Sequence, residues 1–401
     1  MIRWNSAENV QMIGLTKKVA RRVRSAWQQR AEVRRLAPLY SPDATNLDLD
    51  GHLTASVEWL KRAQDAGEDR GVSYGVRFGS DFDASYPETT GYICRTFVQL
   101  SRFLGQTELL NRAIQMGQWE VDIQMPEGAV MGGIFNRNPT PAVFNTGMVL
   151  LGWNALISAL GPDRFASPAC RAADWLVRMQ EPDGNWIRGN SEFANSTTVY
   201  NVKAAWGLCE TGVILDRKTY VEAALRNAES CAARQFANGW YPDCCLSDSE
   251  RPLLHTIAYV MQGLLEIGKL TGRSDLIAAA RKTADAELAI LREDGFLPGR
   301  QYASFHGAVD WCCLTGSAQT SVVWSSFYDL TSDDKYRIAA GKVNRYLMAH
   351  HDIQNADLRL RGGVPGAWPV WGDYGALTIL NWATKYMVDA LVAQKFSRNS
   401  L

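Results

Sequence analysis

This chain has no surplus of charge, no spaced cysteine motif and no long apolar run, and each absence removes a class of function. Lysine plus arginine and aspartate plus glutamate both total 42 in 401 residues. Overall charge therefore gives no pull toward nucleic acid, and no nucleic-acid partner is expected. The eight cysteines include the adjacent pairs Cys244-Cys245 and Cys312-Cys313, while Cys94, Cys209 and Cys231 fall in apolar helical runs. That usage predicts reduced, buried thiols rather than a disulfide framework. The first residues, Met1-Ile2-Arg3-Trp4-Asn5, lack the apolar core of a secretory signal. The most apolar stretch, Gly147 to Leu160, contains Asn154 and Ser158 and is short for a bilayer crossing. A cytoplasmic location is the expectation, with neither cofactor nor metal.

What the chain does have is period. An aromatic or small residue is followed five positions later by Gln: Trp59 and Gln64, Trp119 and Gln124, Trp175 and Gln180, Ser230 and Gln235. Two weaker copies place Ala286 before Leu291 and Tyr346 before His351. Turns follow most of them, as in Met125-Pro126-Glu127-Gly128, Glu181-Pro182-Asp183-Gly184, Asn238-Gly239 and Glu293-Asp294-Gly295. The markers are separated by 60, 56, 55, 56 and 60 residues. A fixed period of this length means one supersecondary unit whose neighbours bury each other's apolar faces.

Each unit contains two kinds of helix. Residues 169–180 set Arg171, Asp174 and Arg178 on one face and Ala173, Leu176 and Val177 on another, which predicts a half-exposed outer helix. Residues 143–160 are apolar nearly all round, so that helix has protein on every side and belongs to an inner layer. The inner type recurs at about 88–104, 198–215, 253–270, 312–330 and 373–392. Short turns lead from inner to outer helices. The return connections are longer, roughly 14 to 17 residues, and all fall on one face. Six such hairpins closed on themselves predict an all-α fold, an (α/α)6 toroid over residues 46–401. Residues 1–45 are predicted as a basic helical extension. Within it, residues 16–37 carry eight lysines and arginines against Glu32 alone. This helix either docks on an anionic membrane surface, making the protein peripheral at the inner membrane, or packs solvated on the toroid.

Loops on one rim of a rigid scaffold commonly carry binding and chemistry. Trp186, Trp240, Trp311, Trp368 and Trp371 fall on these loops, with Tyr74, Tyr86, Tyr241, Tyr302 and Phe305. Flat rings with polar edges suit sugars, whose C–H faces stack while hydroxyls seek polar partners; the alternative is that each Trp plugs its own loop. At the start of the inner helices the repeats align Glu88, Asn145, Tyr200 and His255, followed by Thr90, Thr146, Asn201, Thr256 and Thr315. The second group reads equally as capping. Four different groups at one register suggest a site.

A glycoside hydrolase needs a carboxyl acid and a carboxylate base or nucleophile, for which Asp81, Asp83, Glu88, Asp243, Asp310 and Asp373 are candidates. A polysaccharide lyase needs His or Tyr as base and Asn or Arg to neutralise a uronate, as Asn145, Tyr200 and His255 provide in type. A sugar epimerase would use His255 with His306. A zinc site from His306, Cys312 and Cys313 lacks the ligand spacing for one ion. His350 and His351 end an outer helix and read as surface or dipole partners.

Residues 175–186, Trp175 through Gln180 to Asn185-Trp186, resemble the Gln-Trp repeat of terpene cyclases, an α/α toroid signature, without the acidic motif of squalene-type cyclases. Over about residues 80–393 the chain resembles VpsJ-like polysaccharide-biosynthesis proteins. The likeness rests on Tyr86-Pro87-Glu88-Thr89-Thr90-Gly91-Tyr92-Ile93, Phe144-Asn145-Thr146-Gly147, His255-Thr256-Ile257-Ala258-Tyr259, Cys313 through Gln319, and Asn381-Trp382-Ala383-Thr384-Lys385. That resemblance implies an (α/α)6 toroid working on bacterial exopolysaccharide or O-antigen, but not which reaction.

The resulting expectation is a carbohydrate-active protein handling a polysaccharide or oligosaccharide substrate. Glu88, Asn145, Tyr200, His255 and Asp310 would carry chemistry, and Tyr86, Trp240, His306, Trp311, Gln319, Trp371 and Asp373 would bind substrate. A non-catalytic glycan-gripping scaffold is the remaining alternative.

Overall fold

The computed structural model describes residues 28–396 apart from 137, 191–195 and 246. The expected basic helix therefore lies largely outside the described residues; of it, 28–36 is helical. Leu36 is buried, Glu32 pairs with Arg77 at 2.8 Å, and the Tyr40 hydroxyl donates to the carbonyl of Gly363.

Twelve helices make the ring. The outer ones are α1 (Leu49–Asp65), α3 (Thr107–Asp122), α5 (Ala166–Met179), α7 (Lys218–Ala233), α9 (Ser274–Ile290) and α11 (Asp334–Ala349). The inner ones are α2 (Pro87–Leu104), α4 (Val143–Leu160), α6 (Val202–Ile214), α8 (Leu254–Thr271), α10 (Leu314–Thr331) and α12 (Asn381–Lys395). Each inner helix packs on the next, and α12 returns to α2, so the ring is closed. The fold is the expected (α/α)6 toroid. Helix α4 is long and apolar enough to cross a membrane, but most of it is buried in this ring.

The repeat marker has a mechanical meaning. The amide of Gln124 at the end of α3 donates to the carbonyl of Pro168 in the next outer helix at 3.0 Å, and its oxygen accepts from Arg171. Gln64 does the same to Arg112, Gln180 to Ala223 and Arg226, and Gln235 to Ala279. The two weak copies lie toward the seam. There His351 is buried and its ring meets that of His52 at 2.9 Å, so it is not the surface residue expected. The turn glycines also recur: Gly184 has φ 84°, and a Cβ there would sit 2.5 Å from the Arg226 carbonyl. Gly362 stands in the same way against Ala55 across the seam.

The long connections occupy 66–86, 123–142, 180–201, 234–253, 291–313 and 350–380, longer than expected. They are tied to one another by a relay. The N–H of Val143 donates to Gly189, Val199 to Asp243, Leu254 to Gly299, Leu314 to Gly366 and Asn381 to Tyr74. The last of these joins the final repeat to the first, and Pro87, without an N–H, is the missing member. Strand β1 (Gly75–Arg77) pairs with β4 (Thr378–Leu380), and β2 (Cys312–Cys313) with β3 (Ala367–Trp368). Inner helix α12 consequently begins at Asn381 rather than near 373. Positive φ at Gly375 and Leu377 interrupts any helix, and the following residues extend to pair with β1.

Candidate functional site

The relay delivers the first turns of the inner helices to the ring's axis at the long-loop mouth. Thr90, Thr146 and Thr384 belong to that scaffold: each hydroxyl accepts from a loop N–H, of Val72, Val130 and Val364, and donates one turn back on its own helix. They serve as loop staples.

The residues ahead of them form a continuous aromatic lining. Tyr86 tilts against Trp382 at 5.9 Å, and Trp382 donates from Nε1 to the Tyr374 hydroxyl at 2.7 Å. Tyr374 lies 5.4 Å from the ring of His255, and His255 lies 4.3 Å from Tyr259. Phe144 then bridges Tyr259 at 5.0 Å and Tyr200 at 5.2 Å. Tyr92 and Tyr386 pack beneath, 5.7 Å apart.

The carboxylate of Glu88 addresses this lining. The Tyr86 hydroxyl donates to Glu88 Oε2 at 2.8 Å. Burial chiefly pushes the phenols of Tyr92, Tyr200, Tyr259, Tyr374 and Tyr386 above their ordinary range, with smaller contributions from neighbouring phenols and thiols and from the Glu88 charge, and for Tyr386 from Asp389. These phenols are protonated donors at neutral pH, not phenolate bases. Burial drives His255 down to about 3, assisted by Lys203 and opposed by its bond to Gln319, so its imidazole is neutral. The Nδ1 of His255 sits 2.7 Å from the Gln319 Oε1. With an amide oxygen on that side, Nδ1 carries the hydrogen and Nε2 keeps its lone pair.

The expected site residues divide into two groups. Tyr86, Glu88, Tyr200, His255 and Gln319 come together, Gln319 as the buried partner of His255 rather than as an open hydroxyl ligand. Asn145, adjacent to Phe144, is buried and donates to the Met131 carbonyl, fixing its loop.

The others lie elsewhere. Asp310 is exposed in a separate hollow with Arg292, Tyr346 and His350. Trp240 is buried edge-on against Phe305, and Trp311 is buried against Gly299 and Gly372, which leave room for it by having no Cβ. Trp186 is wholly buried, its Nε1 bonded to the Leu176 carbonyl. All three Trp plug loops. Asp373 holds Arg300 at 3.2 Å at the rim, beside Tyr374, and Trp371 is 53% exposed. His306 is exposed with its ring on Ser304, so it shares no partner with His255. Among the other candidate carboxylates, Asp81 pairs with Arg359, Asp83 is exposed and Asp243 lies 3.9 Å from Arg234.

Cys312 and Cys313 are buried with bonds to Ser317 and Gly316 in the helix they precede. All eight cysteines are free. Among the described residues, no group of three potential metal ligands occurs.

Sequence reasoning missed Tyr92, Tyr259, Tyr374, Trp382 and Tyr386. A signal existed for three of them: Tyr92, Tyr259 and Tyr386 each stand four residues, about one helical turn, after Glu88, His255 and Trp382.

No family model and no curated protein sequence matches the chain. Solved structures do. An unsaturated glucuronyl hydrolase specific for heparin superposes with TM-score 0.69 at 15% identity, over 86% of this chain and 96% of that one. A cellobiose 2-epimerase from Bacillus thermoamylovorans gives TM-score 0.70 at 12% identity, over 86% and 98%. A D-mannose isomerase gives TM-score 0.63 at 12% identity, over 88% of this chain and 99% of that one. At these identities the likeness establishes the fold.

Proposed function

We propose that the protein is a carbohydrate-active enzyme that cleaves or modifies a bacterial polysaccharide or an oligosaccharide precursor at the long-loop mouth. The observation that carries this reading is the aromatic lining with the Glu88 carboxylate addressed to it through Tyr86. Sugar C–H faces would lie on Tyr374, Trp382 and Phe144, and protonated phenols would donate to ring and hydroxyl oxygens. Glu88 is the proton-transfer group in this scheme, held by Tyr86. His255, neutral and oriented by Gln319, accepts a sugar hydroxyl at Nε2.

This assignment favours acid–base chemistry centred on one carboxyl over a lyase scheme with Tyr200 as base, since its phenol is pushed up. The epimerase alternative, with paired imidazoles, draws less support because His255 and His306 have separate partners. That the named solved structures are a glucuronyl hydrolase, an epimerase and an isomerase agrees with a sugar substrate. The resemblance to VpsJ-like proteins supplies the biosynthetic setting, and a peripheral position at the inner membrane through residues 16–37 belongs to the same proposal. Incubation with the polymer of its own gene cluster tests the reading. New reducing ends indicate hydrolysis, and added absorbance from an unsaturated uronate indicates a lyase. Full activity of Glu88→Gln would refute the site.

A further inference from the structure

The hollow that Asp310 lines has a volume of about 600 Å³ and shares no residue with the aromatic lining of the mouth. Four half-buried rings line it: Phe296, Tyr346, His350 and Trp368. They come from the 291–313 loop, from the end of α11 and from β3. The rings meet in series, Phe296 to Tyr346 at 6.1 Å, Tyr346 to His350 at 4.2 Å and His350 to Trp368 at 4.8 Å. Trp186, Trp240 and Trp311 plug their loops and are buried, whereas Trp368 keeps part of its surface open.

The polar groups beside these rings are left over. Among the described residues, the Tyr346 hydroxyl, the Trp368 Nε1–H and the Asp310 carboxylate meet no protein hydrogen-bond partner, and none is sealed from solvent. The Nδ1 of His350 donates to the Tyr346 carbonyl at 2.7 Å, which leaves the lone pair on Nε2. Burial holds that imidazole below its ordinary range, so it is neutral at pH 7.

Charge decides what such a hollow can hold. Arg292 pairs with Asp294 at 2.7 Å, Lys342 pairs with Glu293 at 2.8 Å, and Arg345 offsets Asp310. With its charges balanced, the hollow gives neither an anion nor a cation a counter-charge. A neutral ligand with apolar faces and many hydroxyls finds rings to stack on, two donors and two acceptors.

We propose that this hollow is a second glycan site, holding a neutral stretch of polysaccharide with sugar rings on Trp368 and Tyr346 and hydroxyls on Asp310 and His350. Its place in the fold suits a strand that passes on to the mouth. Trp368, Trp371 and Tyr374 follow one another at steps of three in a single loop. The first lines the hollow, the second is 53% exposed and the third lies 5.4 Å from the ring of His255. That the strand continues into the mouth rests on the proposed function; binding in the hollow does not.

Titration of the isotopically labelled full chain with maltohexaose, cellohexaose and mannohexaose, followed through the tryptophan indole resonances, tests the proposal. The signals lost in Trp368→Phe and in Trp382→Phe identify the two reporters, Trp368 for the hollow and Trp382 for the mouth. At least one probe is expected to move the Trp368 signal saturably, with affinity about ten-fold weaker in Asp310→Ala and about three-fold weaker in Tyr346→Phe. Asp310 is exposed and Tyr346→Phe keeps its ring, so both variants should retain the parent's dispersed spectrum. A Trp368 signal that no probe moves overturns the proposal, even where Trp382 responds, as does unchanged affinity in Asp310→Ala. Movement of Trp368 with Trp382 still supports the hollow and counts against the mouth instead.

Discussion

The two mouths of the ring lie on one axis, formed by the same inner helices, and share Tyr92 and Tyr386 between them. At the long-loop mouth the helices present their first turns, where the repeats differ: Glu88, Phe144, Tyr200, His255 and Trp382. Further along the axis the same helices present ion pairs instead, Arg95 with Glu210 between two helices, and Lys269 with Glu266 and Lys385 with Asp389 each within one. The difference shows how a periodic scaffold acquires a site. The staples, glycine turns and threonine ties repeat because every hairpin must meet its neighbour in the same way. The proposed chemistry falls at the register positions where the repeats differ, whose side chains meet one another at the axis.

The sharpest way to break this contrast is at Glu88. Glu88→Gln should lower turnover of the glycan substrate by about 10²–10⁴-fold while leaving the melting temperature near that of the parent, as expected for loss of a proton-transfer group. Steady-state kinetics with circular dichroism as the fold control measures both. A comparable loss in Asp310→Asn would move the chemistry into the separate hollow that Asp310 lines.

A second test concerns how the long-loop mouth is anchored. Glu287 on α9 is fully buried, accepts from Gln301 of the adjoining loop at 2.9 Å, and is raised by burial to about 8. A carboxyl whose folded value lies above its unfolded one binds its proton more tightly when folded. Its stabilising contribution is complete below the unfolded value of 4.5 and is lost as pH rises toward about 8. Denaturant unfolding across that range should show a decline of a few kcal/mol that is flattened in Glu287→Gln. An equal decline in the variant would place the titration elsewhere. His255 and His351, both lowered to about 3 by burial, act in the opposite sense: their contribution is present above 6.5 and disappears as pH falls toward 3.

Closure comes next. The Asn381 amide donates to the Ser73 carbonyl and to the Thr89 hydroxyl, each at 2.7 Å, in the buried seam. Asn381→Ala strands both acceptors and should cost about 1–3 kcal/mol in chemical denaturation. The smallest expected effect is in the outer layer: Gln180→Ala removes one amide shared by two half-exposed helices and should cost about 1 kcal/mol.

Much of this architecture was legible in the chain. The period, the two helix types and the face carrying the long loops follow from apolar patterning, which reports burial directly. The aligned register placed Glu88, Tyr200 and His255 at the axis. The last inner helix was misplaced because β4 is set by pairing with β1, some three hundred residues away, which no local pattern encodes. Trp240 and Trp311 read as sugar platforms because composition cannot distinguish an exposed ring from one wedged on Phe305 or beside glycines.

The bond from Asn381 to Tyr74 has one last implication. Open stacks of helical hairpins end in exposed faces that need polar capping units. Here the first hairpin is the cap of the last, and neither can mature before the ribosome has delivered both. Losing the final helix should therefore unravel the beginning of the protein as readily as its end.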